Sequence, residues 1–115
     1  MRALRTLLDG RRLDVDGEWL QLHVDPPRLH TTTGACPPLY FGGLSDDARD
    51  VAAQEADVYL MWPDTMDHVR DLVDDMRRRA AEHGRTLRYG YRVHVVVRET
   101  EAEARAAADH LVAAL

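Results

Sequence analysis

The sequence predicts an α/β fold of about three successive parallel βα units plus one inserted β-hairpin. Three observations carry this expectation. Short apolar runs at residues 37–43, 58–62 and 87–100 each lead into a stretch with helical apolar spacing. Ser45 and a Thr100-x-x-Glu103 box stand where two of those helices would begin. Asp16-Gly17 interrupts an alternating segment in the manner of a hairpin turn. A β-α succession of this kind favours parallel strands covered by helices.

Taken in order, residues 2–9 carry Leu4, Leu7 and Leu8 on one helical stripe, and Gly10 follows as a helix stop. Residues 13–24 alternate on both sides of Asp16-Gly17 and form the hairpin, which Pro26-Pro27 ends. Residues 28–36, with three threonines and Gly34, read as an irregular loop. Residues 37–43 give a buried strand that runs into Gly42-Gly43, and Ser45 caps a helix continuing through Ala56. The second strand, residues 58–62, stops at Pro63. The helix over residues 63–83 then buries Met66, Val69, Leu72, Val73, Met76 and Ala80, and Gly84 ends it. Its other face holds Asp71, Asp74, Asp75, Arg77, Arg78 and Arg79, which read as a solvated outer surface. The third strand spans residues 87–100. The last helix presents Ala104, Ala107, Ala108, Leu111, Val112 and Leu115 as its buried stripe. The chain opens almost inside a helix and leaves both outer strand edges bare, so an internal fragment of a longer domain is expected.

Composition narrows the function classes. Hydrophobic content of 45% and charged content of 30% are globular values. A net charge of −5, with arginines scattered among acids, gives nucleic acid no electrostatic footprint. No stretch is long and apolar enough to span a membrane, and no signal peptide is expected at Met1, so the expected setting is the bacterial cytoplasm. The single cysteine, Cys36, excludes an internal disulfide and reads as an ordinary thiol. The six histidines (His23, His30, His68, His83, His94 and His110) lack close ligand spacing, so no metal site is expected. All 15 basic residues are arginine, and lysine, asparagine and isoleucine are absent, a bias of GC-rich coding DNA without bearing on activity.

The third strand carries the main functional signal. Alternation puts Arg92 and His94 on one side and Val93, Val95 and Val97 on the other. Such a strand either buries its valines under helices and turns Arg-x-His into a polar cavity, or solvates the pair on an edge. Covered parallel strands favour the cavity, because an unpaired buried guanidinium is strongly unfavourable. Trp62 ends the second strand, where α/β folds place ligands, and equally suits plain packing. Gly42, Gly43 and Ser45 form a strand-turn-helix cradle for an anion, or simply reverse the chain. Asp46 and Asp47 weaken the cradle, since their charge opposes the helix-end attraction.

Four motifs recur together in one known family. Pro-Pro-Leu-Tyr-Phe-Gly-Gly-x-Ser from Pro37, Asp57-Val-Tyr-Leu-Met-Trp62, Ala80-Ala-Glu-His-Gly-Arg85 and Gly90-Tyr-Arg-Val-His-Val-Val-Val-Arg-Glu-Thr100 occur in that order and spacing. Over nearly the whole chain the sequence resembles the bacterial luciferase-like, flavin-dependent monooxygenases, the alkanesulfonate monooxygenases in particular. The resemblance implies a partial TIM (β/α)8 barrel, with residues 1–115 supplying the end of the fourth helix, an inserted hairpin, and strands five to seven with their helices. It implies reduced FMN supplied by a separate flavin reductase, O2 and an organosulfur substrate, with aldehyde and sulfite as products. Homo-oligomers are usual in the full-length family. By motif position, Arg92 would hold the sulfonate or the flavin's oxygen adduct, since a guanidinium stays charged and donates in a fork. His94 would line the same pocket as a hydrogen-bonding or proton-handling group. Trp62 would wall the substrate cavity, and Gly42, Gly43 and Ser45 would approach the flavin phosphate. Leu44 stands where close relatives often carry a second serine. The alternative is a catalytically inactive α/β remnant that acts, if at all, as a self-associating or interaction module.

Overall fold

The computed structural model describes residues 1–28 and 31–114. Leu29 and His30 of the irregular stretch, and Leu115 of the last stripe, lie outside the described residues. Helix α1 (Arg2–Leu8) ends at Gly10, which turns the chain with φ +74°. Strands β1 (Leu13–Asp16) and β2 (Gln21–Val24) pair antiparallel with Leu13 opposite Val24 and Asp16 opposite Gln21. Residues 17–20 form the turn, where the Gly17 N–H donates to the Leu20 carbonyl at 2.9 Å.

The second sheet is parallel, in the order β3 (Tyr40–Phe41), β4 (Val58–Met61), β5 (Arg88–Tyr91). Helix α2 (Asp46–Glu55) joins β3 to β4, and α3 (Met66–Glu82) joins β4 to β5. Strand alternation turns Phe41, Tyr59, Met61 and Tyr89 to one face. There they meet Ala52, Ala53 and Ala56 from α2 and its end, Met76 and Ala80 from α3, and Leu87. Tyr59 and Met76 are the largest fully buried side chains. Among the described residues no helix covers the opposite face, and Tyr40, Leu60 and Trp62 are exposed on it.

Asp57 fixes the start of all three strands. Its carboxylate accepts from the Leu39 N–H at 2.8 Å and from Arg5 at 2.7 Å. Its own N–H and that of Val58 donate to the Leu39 carbonyl, and its carbonyl accepts from the Arg88 N–H. Arg85 lies 3.8 Å from the carboxylate and donates to the carbonyls of Ala53 and Ala56, which ties the end of α2 to the same point.

The helices begin where side chains can cap them. Ser45 accepts from the Ala48 N–H, and Thr65 from the His68 N–H, both at 3.3 Å. The expected start of α3 at Pro63 therefore moves to Met66, because Thr65 supplies the cap and Asp64 accepts from the Thr65 N–H. Helix α4 (Glu101–Ala113) starts with the full Thr100–Glu103 capping box. The charged face of α3 is not wholly solvated: Arg79 donates to Asp75, Asp46 and Asp50, and Arg49 bridges Asp46 and Asp75, clasping α2 to α3.

Three expectations fail for one physical reason: the side chains have nothing to pack against. The third strand was expected over residues 87–100, yet only Arg88–Tyr91 join a ladder, and the last bond runs from the Arg92 N–H to the Met61 carbonyl. Pro63, which lacks an N–H, follows Trp62, and no described strand lies on the other edge of β5. Val93, Val95 and Val97 are accordingly 55%, 73% and 74% exposed rather than buried under helices. Helix α4 likewise has no buried residue, with Leu111 and Val112 exposed, and Met66 at the tip of α3 is exposed as well.

The Asp57 network predicts an acid-sensitive sheet. Burial opposes ionisation of this carboxyl, but the Leu39 amide and Arg5 outweigh it and hold its pKa below the ordinary value. A depressed folded pKa gives stability that is full above the unfolded value, near 3.9, and is lost as the pH falls through the folded one. Asp57→Asn should cost roughly 1–2 kcal/mol at pH 7, allowing for partial exposure. In urea unfolding at pH 7 and pH 3, the gap between mutant and parent should shrink at the lower pH.

Candidate functional site

The register of the parallel sheet brings together residues distant in sequence. Continuing each ladder by one or two steps sets Gly42 beside Leu60, Leu60 opposite Gly90, and Trp62 next to Arg92. These residues, with Met61 and Tyr91, line a concave surface of about 570 Å³ at the C-terminal ends of the strands. Two rows make it up. The lower row is Gly42–Leu60–Gly90, a leucine between two glycines. A Cβ on Gly90 would lie 2.6 Å from Leu60 Cδ2, and one on Gly42 would lie 3.1 Å from the Leu60 carbonyl oxygen, so the leucine side chain fills space that Gly90 leaves open, and Gly42 lets the backbones come close.

The upper row is Trp62 and Arg92. The guanidinium carbon of Arg92 sits 4.3 Å from the Trp62 ring centroid, within range for a cation–π contact. Among the described residues no carboxylate lies within ion-pair distance of Arg92, whereas most other arginines of the chain are paired with acids. Its guanidinium therefore lies against an apolar wall without being neutralised. Tyr91 reaches the β4–α3 turn, where its hydroxyl lies 3.3 Å from the Asp64 N–H and 3.4 Å from the Asp64 carbonyl.

The sequence-predicted residues divide into two groups. Gly42, Trp62 and Arg92 line the surface, whereas Gly43, Ser45 and His94 do not. His94 lies beyond the last rung of β5 and is exposed. Gly43 belongs to the packing below. Its carbonyl accepts from the buried Tyr59 hydroxyl at 2.6 Å, and an added Cβ would meet the Ala48 Cβ at 2.7 Å. Burial pushes the Tyr59 hydroxyl pKa up, so it stays a donor. Ser45 is engaged as the cap of α2. Leu60, Gly90 and Tyr91 also line the surface, although their place inside the motifs carried no assigned role. The signal that finds them is register: each shares a rung, or the next one, with a motif residue.

A flavin would make two demands on these residues. A planar ring needs a flat apolar floor, and the Gly42–Leu60–Gly90 row is one. A phosphate needs donors. Here the space of both missing Cβ atoms is taken by β4 and α2, which leaves the turn N–H groups and the Ser45 hydroxyl proton. Asp46, whose charge was expected to oppose an anion there, is drawn into the pairs with Arg49 and Arg79. The residues offer the ring an apolar surface and the phosphate few donors.

Comparison with known proteins supplies the family. The luciferase-like monooxygenase domain matches residues 1–115, the whole chain. The chain belongs to that family. A sulfoquinovose monooxygenase of Novosphingobium aromaticivorans is 64% identical over 115 residues, covering 100% of this chain and 32% of that protein. One from Agrobacterium fabrum is 51% identical over 118 residues, covering 100% of this chain and 30% of that protein. The chain thus spans about a third of the length of these relatives. The crystal structure of a riboflavin lyase with modified FMN and substrate riboflavin matches with a TM-score of 0.71 at 18% identity, covering 86% of this chain and 23% of that one, a likeness of fold. The luciferase-like resemblance read from the motifs is therefore shown, while these relatives are named for sulfoquinovose and not for alkanesulfonates. Among the described residues no helix is long and apolar enough to cross a membrane, and no group of His, Cys, Asp and Glu is arranged to hold a metal.

The two tight glycines should respond differently to a methyl group. At Gly43 the obstacle is the Cβ of Ala48 on a packed helix, and Gly43→Ala should cost about 1–3 kcal/mol. At Gly90 the obstacle is the far end of Leu60, which can rotate toward the open face, so Gly90→Ala should cost less than about 1 kcal/mol. Denaturant unfolding of the two variants side by side checks the order.

Proposed function

We propose that the chain is part of an FMNH2-dependent monooxygenase that oxidises an organosulfonate with O2, yielding an aldehyde and sulfite. In this reading residues 1–115 supply strands five to seven of a (β/α)8 barrel with their flanking helices, and β1–β2 is the inserted hairpin. Reduced FMN comes from a separate flavin reductase in the cytoplasm. The observation that carries the reading is Arg92, a guanidinium without a carboxylate partner among the described residues, at the mouth of an apolar surface. The family match supports monooxygenase chemistry, and the names of the two relatives support a sulfonate, sulfoquinovose being a sugar sulfonate. That favours the sulfonate group as the recognised feature over an alkane chain.

Reduced FMN, when bound, supplies the electrons with which O2 oxidises the carbon bearing the sulfur. The chain's own residues bind and orient. Arg92 donates its fork to two sulfonate oxygens, which three equivalent oxygens on sulfur readily accept. Trp62 and Leu60 exclude water from the reacting end. Gly42, Gly43 and Ser45 form the turn assigned to the flavin phosphate. His94 joins the pocket once residues 92–98 gain a strand neighbour, which the rest of the barrel supplies in this reading.

The test is a barrel completed with the remaining segments of a sulfoquinovose monooxygenase relative. With supplied reduced FMN, O2 and sulfonate, Arg92→Ala should lower sulfite release about tenfold to a hundredfold, the loss of a charge-assisted partner worth roughly 1.5–3 kcal/mol. Arg78→Ala, on the outer face of α3, should leave the rate unchanged. Equal rates for the two variants would remove Arg92 from the site.

A second reading, self-association of the 115-residue chain, is favoured by its uncovered sheet face and the exposed Val93, Val95 and Val97. Sedimentation at micromolar concentration should then show dimers or larger species. A cooperative monomer would oppose this reading.

A further inference from the structure

We propose that Trp62 is a positioning residue for Arg92: its indole holds the guanidinium by one flat face and so keeps the edge donors unspent for an anion. The inference deepens the reading of Arg92 as the sulfonate-holding group and rests on it. It differs from the wall role, in which any apolar side chain of similar bulk at position 62 serves as well.

The geometry starts at the end of the β4–β5 ladder. Met61 and Tyr91 are the last paired residues, and the Arg92 N–H donates to the Met61 carbonyl at 3.0 Å. That bond fixes the backbone of Arg92 but not its long side chain. Residues 93–98 then leave the ladder, so Arg92 has a strand neighbour on the β4 side and none described on the other. An exposed arginine in such a place would ordinarily sample many rotamers, at a cost in entropy on binding. Trp62, one step past Met61, lies beside it on the same face, and the guanidinium carbon stands 4.3 Å from its ring centroid.

The type of partner matters. Elsewhere the chain orders most of its arginines with carboxylates: Arg79 spends donors on three aspartates, and Arg5 on Asp57. A carboxylate at position 62 would order Arg92 equally well but would cancel its charge and occupy the fork. An indole holds the cation by its face and leaves the N–H edge free. Among the described residues the other arginine over a ring, Arg77 above Tyr89 at 5.9 Å, is already paired with Asp74, so Arg92 is the one of the two that relies on the ring. Trp62 is itself held. Pro63 follows it, and the Tyr91 hydroxyl lies within 3.3 Å of the Asp64 N–H, tying the turn after Trp62 to the residue before Arg92.

The experiment uses the 115-residue chain, isotope-labelled, with the Arg92 side-chain Nε–H followed by NMR in the parent, Trp62→Phe and Trp62→Leu. Without ligand, the heteronuclear NOE of that group should report an ordered side chain in the parent and Trp62→Phe, and a mobile one in Trp62→Leu. Backbone amide shifts of β3 and β4 check that each variant keeps the sheet. Methanesulfonate is then titrated as the anion probe. Trp62→Leu should bind it about five- to tenfold more weakly than the parent, and Trp62→Phe within about threefold of it. An equally ordered Arg92 in Trp62→Leu overturns the proposal, as does equal affinity in parent and Trp62→Leu, which is what a plain wall predicts. Should methanesulfonate leave the parent unmoved, the ligand-free comparison still decides whether Trp62 orders Arg92, and the Arg92→Ala comparison in the completed barrel decides the sulfonate reading.

Discussion

The three-stranded sheet takes its register from a carboxylate below it. Asp57 accepts the Leu39 N–H that would otherwise face no strand partner, while its peptide group bonds Leu39 on one side and Arg88 on the other. Arg5 from α1 and Arg85 from the end of α3's loop close around the same group. Five segments of chain therefore meet at a single residue, whose part-buried side chain is kept ionised by the donors it organises. In a sheet whose outer strand has only two paired residues, ladder bonds alone would define the register weakly.

That register is what assembles the site at the other end of the strands. A slip of one residue in β5 would bring Tyr91 beside Trp62 and turn Arg92 to the helix-covered side. It would also remove Gly90 from beside Leu60 and put a tyrosine side chain there. The acid at the N-terminal end and the apolar surface at the C-terminal end are thus one construction, linked by four residues of β4. The Leu60 side chain occupies space that Gly90 leaves open.

Much of this was legible in the sequence, and the division follows from what each signal measures. Caps are local, so Ser45 and the Thr100–Glu103 box stand in the structure as read. The hairpin signalled by Asp16-Gly17 and the parallel order of the three strands were readable for the same reason, as neighbouring elements constrain one another, although Asp16 ends β1 and residues 17–20 make the turn. Strand length was not. The run of valines from Val93 has strand character, but a ladder needs a partner, and propensity does not report one. The apolar stripe of α4 misled in the same way, since periodicity shows what a helix offers and not what receives it. Within the site, motif positions pointed to Gly42, Trp62 and Arg92, whereas Leu60 and Tyr91 became visible only through pairing. The outer face of α3 looked uniformly solvated because Asp75 and Arg79 differ from their neighbours only in which way the helix turns them.

That clasp between α2 and α3 makes the electrostatics of the Gly42–Ser45 turn a property of a distant helix. Asp46 sits in the first turn of α2, where an uncompensated carboxylate would repel any anion arriving at the turn. Arg79, a full helix away in sequence, holds Asp46 together with Asp50 and Asp75, and the three acids in turn raise the already high pKa of its guanidinium. Loss of Arg79 would leave Arg49 alone to balance carboxylates at both ends of the clasp. The turn would become more negative without any change in its own residues. An arginine on α3 therefore sets part of the field at a turn to which it does not belong.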